Sequence, residues 1–318
     1  MFRKHTRRAA KAAFAISFGV ALLIGLTACG GGGGGSSSPA TTSGSGPKPT
    51  IILGTKNFGE EYILGQLYGQ ALQAKGFKVE YKGSFGSSEL ADKAITSGKM
   101  NFYPEYTGVV ALDLAKAKNT PKSAQATYST AKQFEETRGL TMLNPTPFAD
   151  TDTFTTLTAT ANKDGLKTMS DLSKLKSFSY AGLPECQTRI TCILGMKQVY
   201  GLKNITFVPI GSISVYTLLD QGRATGGDGF STDPQQLSKK YTALVDDKHI
   251  FGFQNVAPVL KKSLVTGSNG MLLEHTANAV SAKLTLAAMQ AMNKAYSVDK
   301  ATPKQIAHGF LAANGLLG

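Results

Sequence analysis

Few side chains in these 318 residues are able to do covalent or metal chemistry, and their spacing does not assemble a reaction. His5 sits in a basic N-terminal head, and His249, His275 and His308 stand apart with no second ligand at helical spacing. Neither a Gly-x-Ser-x-Gly nucleophile turn nor a glycine-rich phosphate loop is found. Acids such as Glu60-Glu61, Asp171 and Asp246-Asp247 suit surface or capping roles, because nothing in their spacing makes an acid–base couple. Cys186 and Cys192 have no histidine or third cysteine nearby to complete a metal site. The expectation is a protein that binds rather than reacts, with no metal and no cofactor. An enzyme stays as a rival that turnover of a candidate substrate would revive.

The N-terminus says where such a protein works. Arg3, Lys4, Arg7, Arg8 and Lys11 precede an apolar run over 14–26, which is the build of a secretory signal. The run is too short and wrongly flanked to span a bilayer. It ends in Leu26-Thr27-Ala28-Cys29, which resembles the bacterial lipobox. The resemblance implies cleavage before Cys29, diacylation of that cysteine, and a tether to the outer face of the cytoplasmic membrane, since two acyl chains hold stably. The alternative is a secreted protein in which Cys29 is incidental. Residues 1–28 are thus read as the signal and 29–47 as a Gly/Ser-rich linker with nothing to bury in a core. In an exported chain, Cys186 and Cys192, six apart, are read as a disulfide that pins local geometry.

The formal charge of +13 overstates the basicity, because loss of the five basic signal residues leaves +8. The remaining lysines are scattered, so a surface facing anionic lipid and cell wall is expected and nucleic-acid binding is not.

From about residue 48 the pattern is α/β. Residues 50–54 read as a strand, 60–74 as a helix with an apolar face, 77–82 as a strand, 88–95 as a helix and 100–103 as a strand. This order implies a mostly parallel sheet with covering helices. The run from Ala94 to Pro104 is echoed from Leu218 to Asp228, each passing from helix to glycine to strand to loop. The two loops are Tyr103-Pro104-Glu105-Tyr106-Thr107-Gly108 and Asp228-Gly229-Phe230-Ser231-Thr232-Asp233. Open α/β sheets bind ligands at such strand ends. Residues 153–159 are expected to carry the chain to a second lobe and 255–265 to return it, with closing helices at 278–295 and 303–313. The domains are therefore 48–151 for the first lobe, 152–254 for the second, and 255–318 for the return to the first, forming a hinged clam.

Several segments carry a family resemblance over about residues 50–318. Gly54-Thr55-Lys56-Asn57-Phe58-Gly59-Glu60-Glu61-Tyr62-Ile63-Leu64-Gly65, taken with Tyr103-Pro104-Glu105-Tyr106-Thr107-Gly108, resembles the osmoprotectant-binding proteins. Those are extracytoplasmic subunits of ABC importers for glycine betaine, choline, carnitine and related compounds. Pro184-Glu185-Cys186-Gln187-Thr188-Arg189, Phe230-Ser231-Thr232-Asp233 and Asp246-Asp247-Lys248 continue the match. The resemblance implies a two-lobe periplasmic binding protein (type II-like) with hinged lobes, acting as a monomer with an ABC permease and its ATPase.

It also implies a ligand site. A quaternary ammonium is held by aromatic faces, and a carboxylate end by Lys, Arg or backbone N–H groups. On the matched positions, Lys56 is the first-lobe lysine, Tyr106 a cage tyrosine, and Asp152 with Phe154 an Asp/Asn-x-Tyr pair carrying Phe for Tyr. Arg189 is the arginine that reaches a ligand carboxylate. Phe230 replaces the tyrosine before Ser-Thr-Asp, Gln254 stands where another cage tyrosine is found, and Val109 stands where relatives often carry a polar residue. Lys56 and Arg189 argue for an anionic group on the ligand, and the rings argue for a cationic or flat apolar one. Phe154 is equally readable as strand core. The rivals are the same fold with an aromatic or unusual betaine ligand, and a sensor lipoprotein that does not transport.

Overall fold

A computed structural model describes residues 46–118, 120–211 and 213–318. The signal, Cys29 and the linker up to residue 45 lie outside the described residues. The first part of the chain runs β1 (Ile51–Thr55), α1 (Gly59–Ala74), β2 (Val79–Ser84), α2 (Ser88–Thr96), β3 (Phe102–Tyr106), α3 (Ala124–Glu136) and β4 (Leu140–Met142). The second runs β5 (Asp152–Leu157), α4 (Thr158–Asp164), β6 (Phe178–Gly182), α5 (Ile193–Gln198), β7 (Ile205–Pro209), α6 (Val215–Asp220), β8 (Gly226–Phe230) and β9 (Tyr241–Leu244). The last runs β10 (Val256–Lys261), α7 (Gly267–Lys283), α8 (Leu286–Ser297) and α9 (Pro303–Ala313).

The strands form two five-stranded sheets, ordered β2-β1-β3-β10-β4 and β7-β6-β8-β5-β9. The parallel pairing expected from the βαβ order covers β2-β1-β3 and β7-β6-β8. The crossing strands β10 and β5 run antiparallel to both of their neighbours. The chain leaves the first sheet after β4 and returns through β10, so each lobe closes on a strand brought from outside its βαβ unit. The echo between the two helix-Gly-strand runs has a structural meaning: β3 and β8 hold the same third place in the two sheets, each beside the crossing strand.

Local chemistry explains the elements. The apolar face of α1 (Ile63, Leu64, Leu67, Tyr68, Ala71, Leu72) is buried, and Gly76 ends the turn with φ +79. That face joins one core with α7, α8 and α9, and α2 covers the opposite side of the same sheet. Two expectations change. Tyr103 to Tyr106 is strand, not loop: Pro104 lies opposite Pro258 in register, so the proline does not interrupt the pair. The helix expected over 278–295 is two helices. Thr285 accepts from the Ala288 N–H at 3.2 Å and starts a new N-terminus, while Leu284 is buried in the break.

Candidate functional site

A cavity of about 260 Å³ lies between the lobes at the strand ends. It is walled on one side by residues just after β1 and β3, and on the other by residues after β6 and at the tip of β8. Lys56, Tyr106, Val109, Asp152, Arg189, Phe230 and Gln254 all line it. Phe154 does not.

The first-lobe wall is held from beneath by a buried charge network. The Lys56 ammonium donates to Glu105 Oε1 at 2.5 Å and to Ser88 Oγ at 3.2 Å, and stands 4.0 Å from Glu61 Oε1. It also lies 4.0 Å from the centroid of the Tyr106 ring. Its charge is thus matched inside its own lobe, and one face of Tyr106 is already stacked against it. The Tyr106 hydroxyl donates to Glu60 Oε1 at 2.8 Å, and its backbone N–H donates to Glu105. Burial raises the Tyr106 phenol well above its usual range, so the hydroxyl is a donor at neutral pH. Burial also pushes Glu61 up to about 8, against the pull of Lys56.

Gln254 is 1% exposed and acts as a clamp. Its Oε1 accepts from the Val109 N–H at 3.1 Å, and its Nε2 donates to the Phe251 carbonyl at 3.1 Å. A Cβ at Gly108 would stand 2.6 Å from that Oε1, which is why the turn into the π-helical segment Val109–Leu114 needs glycine.

In the second lobe, Asp152 opens β5 opposite Phe230 on β8. Burial first, then the charge of Asp228, pushes Asp152 up; burial raises Asp228, which accepts from the Tyr180 hydroxyl at 3.0 Å. Phe154 shares the Asp152 face but lies one pleat further from the strand end, about 7 Å deeper. There it is fully buried against Phe178 at 5.8 Å and Tyr180 at 5.3 Å, over Gly226, where a Cβ would meet its ring at 2.1 Å. The cage role expected for Phe154 is corrected to core.

Arg189 meets a carboxylate of the protein itself. Its Nε and Nη2 donate to the two oxygens of Glu89 on α2, each at 3.1 Å. A second contact across the lobes runs from the Thr191 hydroxyl to Asp113 at 2.8 Å. Cys186 and Cys192 bring their sulfurs together with Cα atoms 5.3 Å apart, a separation a bridge requires. The sulfurs lie within 4.8 Å of an Asp228 oxygen, and sulfurs bonded to each other would leave no thiolate for a metal there.

Sequence reasoning overlooked Phe58. It precedes α1 and stacks on both other rings, at 6.1 Å from Tyr106 and at 6.4 Å from Phe230 with planes 2° apart. Its signal was present, since it belongs to the Lys-Asn-Phe segment. Asp150, Asp228 and Glu89 were also missed. Behind Phe58 and Phe230 a second hollow of about 260 Å³ shares Asp150 and Asp228 and adds Glu60, Tyr216, Asp233 and Tyr296.

Two α/β lobes joined by crossing strands, with a lined cavity between their strand ends, define a bilobed solute-binding protein. Residues 49–313 match the family described as the substrate binding domain of ABC-type glycine betaine transport systems, and the chain belongs to that family. It is 29% identical over 282 residues to a glycine-betaine-binding protein of Pseudomonas aeruginosa, covering 84% of this chain and 89% of that one. It is 25% identical over 278 residues to the glycine betaine-binding protein YehZ of Escherichia coli, covering 83% and 90%. A crystal structure described as a glycine betaine/carnitine/choline ABC transporter shares the fold, with a TM-score of 0.68 at 22% identity, over 84% of this chain and all of that one. The protein is thus a small-molecule-binding component of an ABC transporter. Among the described residues, no helix is long and apolar enough to cross a membrane.

Proposed function

We propose that the cavity between the lobes captures a quaternary-ammonium solute of the glycine betaine, choline or carnitine kind and presents it to an ABC permease and its ATPase. The observation that carries this reading is the meeting of three rings, Phe58 and Tyr106 from one lobe and Phe230 from the other, beside Asp150, Asp152 and Asp228. A quaternary ammonium has no N–H to donate. It gains from ring faces, ~0.5–2 kcal/mol each, and as a cation it favours the ionised form of the three acids against the burial that raises them. Lys56 and Arg189, the two cationic side chains among the described residues of the wall, are each paired with a carboxylate. Because the rings come from both lobes, a ligand touching all three binds the closed form best and so shifts the hinge toward closure. The relatives named for glycine betaine support the same class. No reaction is assigned to the chain.

Calorimetric titration of the purified mature chain with glycine betaine, choline, carnitine and proline betaine tests this. Saturable binding of at least one is expected, and no heat from any of them at millimolar concentration would sink the reading.

The protein works as a monomer at the outer face of the cytoplasmic membrane, held by acylated Cys29. The full-length protein is expected in the detergent phase on phase partition, and Cys29→Ser in the aqueous phase; an unchanged partition would remove the anchor. Cys186 and Cys192 form a disulfide beside the cavity. They should resist maleimide in the native protein and react after reduction, whereas labelling without reductant would refute the bridge.

A further inference from the structure

Arg189 is where a ligand carboxylate is expected, and its fork is already engaged. Glu89, in the first turn of α2, reaches across from the other lobe and takes the Nε and Nη2 edge with both oxygens at 3.1 Å. Ser87 Oγ donates to the same carboxylate at 2.6 Å and holds it in that pose. Bidentate pairing is the geometry in which a guanidinium recognises a carboxylate most strongly, so a ligand carboxylate and Glu89 are competitors for the same atoms.

We propose that Glu89 is a specificity-determining residue: by occupying the Arg189 fork it selects against ligands carrying a carboxylate and in favour of quaternary-ammonium compounds that lack one. The rest of the wall agrees. With Arg189 matched by Glu89 and Lys56 by Glu105, the acids Asp150, Asp152 and Asp228 have no cationic partner of their own among the described lining residues. Burial raises all three carboxyls, and a ligand cation beside them would favour their ionised form, so a ligand of net positive charge suits this wall better than a zwitterion. Glu89 itself stays ionised: burial raises its carboxyl, but the hydrogen bonds from Arg189 and Ser87 outweigh this and bring it down to about 2. Its side chain is 40% exposed, so its replacement does not open the core.

The inference rests on the quaternary-ammonium reading of the site, and a ratio separates the two. The mature protein and its Glu89→Gln and Glu89→Asp variants are titrated with choline, which has no carboxylate, and with glycine betaine and carnitine, which have one. Glu89→Gln removes the competing charge, so the affinity for glycine betaine and carnitine relative to choline is expected to rise by about tenfold or more. Glu89→Asp keeps the charge but shortens its reach, and should fall between. If Glu89 only latched the lobes together, all three ligands would weaken alike and the ratio would stay constant, which would overturn the proposal. If none of the ligands binds wild type or variants, the reading of the site fails and the selectivity device with it.

Discussion

Replacing Lys56 by Met is expected to destabilise the protein by about 3–5 kcal/mol, the range for removing one partner of a buried ion pair. The magnitude follows from what the ammonium leaves behind. Glu105 has one oxygen bonded to Lys56 and to the Tyr106 N–H, and its other oxygen is buried with no hydrogen-bond partner. Glu61 is buried too, with Oε1 near Lys56 and otherwise unpartnered. The folded state already holds a proton on Glu61 up to about pH 8, where an ordinary glutamate loses it near 4.5. Between those values the folded form binds more protons than the unfolded chain. Glu61 therefore makes stability fall as pH rises through that window. Without Lys56 the carboxyl loses its one attractive charge and must keep the proton to still higher pH. The penalty in Lys56→Met should thus be smaller at pH 5 than at pH 8. Urea unfolding followed by circular dichroism at both values measures this, and a penalty independent of pH would mean that lost packing, not lost charge compensation, is responsible.

The same network shows how far sequence reasoning reaches. The βαβ halves were legible because helix and strand periods, and glycine stops such as Gly76, are local signals. The two crossings between lobes were legible as crossings, but not the antiparallel pairing of their strands, since that is decided by residues 70 to 158 positions away. The split of the last long helix turned on one capping threonine, Thr285, in a stretch that is helical in pattern throughout. At the site, seven of the eight residues singled out do border the cavity. What they do there is another matter. Lys56 and Arg189 look like hooks for a ligand anion, and each is held by a glutamate distant in sequence. Arg189 and Glu89 are 100 residues apart, on different lobes. Charge matching of that kind leaves no local pattern. Phe58 was visible within its motif, yet only the folded chain stacks it between Tyr106 and Phe230.

Phe154→Ala and Phe230→Ala should have opposite consequences, although both positions carry phenylalanine where a cage ring is expected. Phe154 is fully enclosed by Phe178, Tyr180 and the bare backbone of Gly226. Its removal leaves a hole that the rigid strands on either side cannot fill, which costs about 3–5 kcal/mol of stability. Ligand affinity, measured where the variant is still folded, should change little, because the ring has no face on the cavity. Phe230 is only partly buried and ends its strand at the cavity, parallel to Phe58. Its truncation removes few core contacts but takes away one ring face, for which a loss of about tenfold in affinity is expected for choline or glycine betaine. Thermal unfolding and calorimetry on the two variants give four numbers. The expected pattern is a large stability loss with near-native affinity for Phe154→Ala, and the reverse for Phe230→Ala. A Phe154→Ala protein that folds as stably as wild type but no longer binds would return that ring to the ligand cage. A Phe230→Ala protein that binds unchanged would reduce the cage to the first-lobe rings and remove the aromatic contact through which the ligand is argued to draw the second lobe closed.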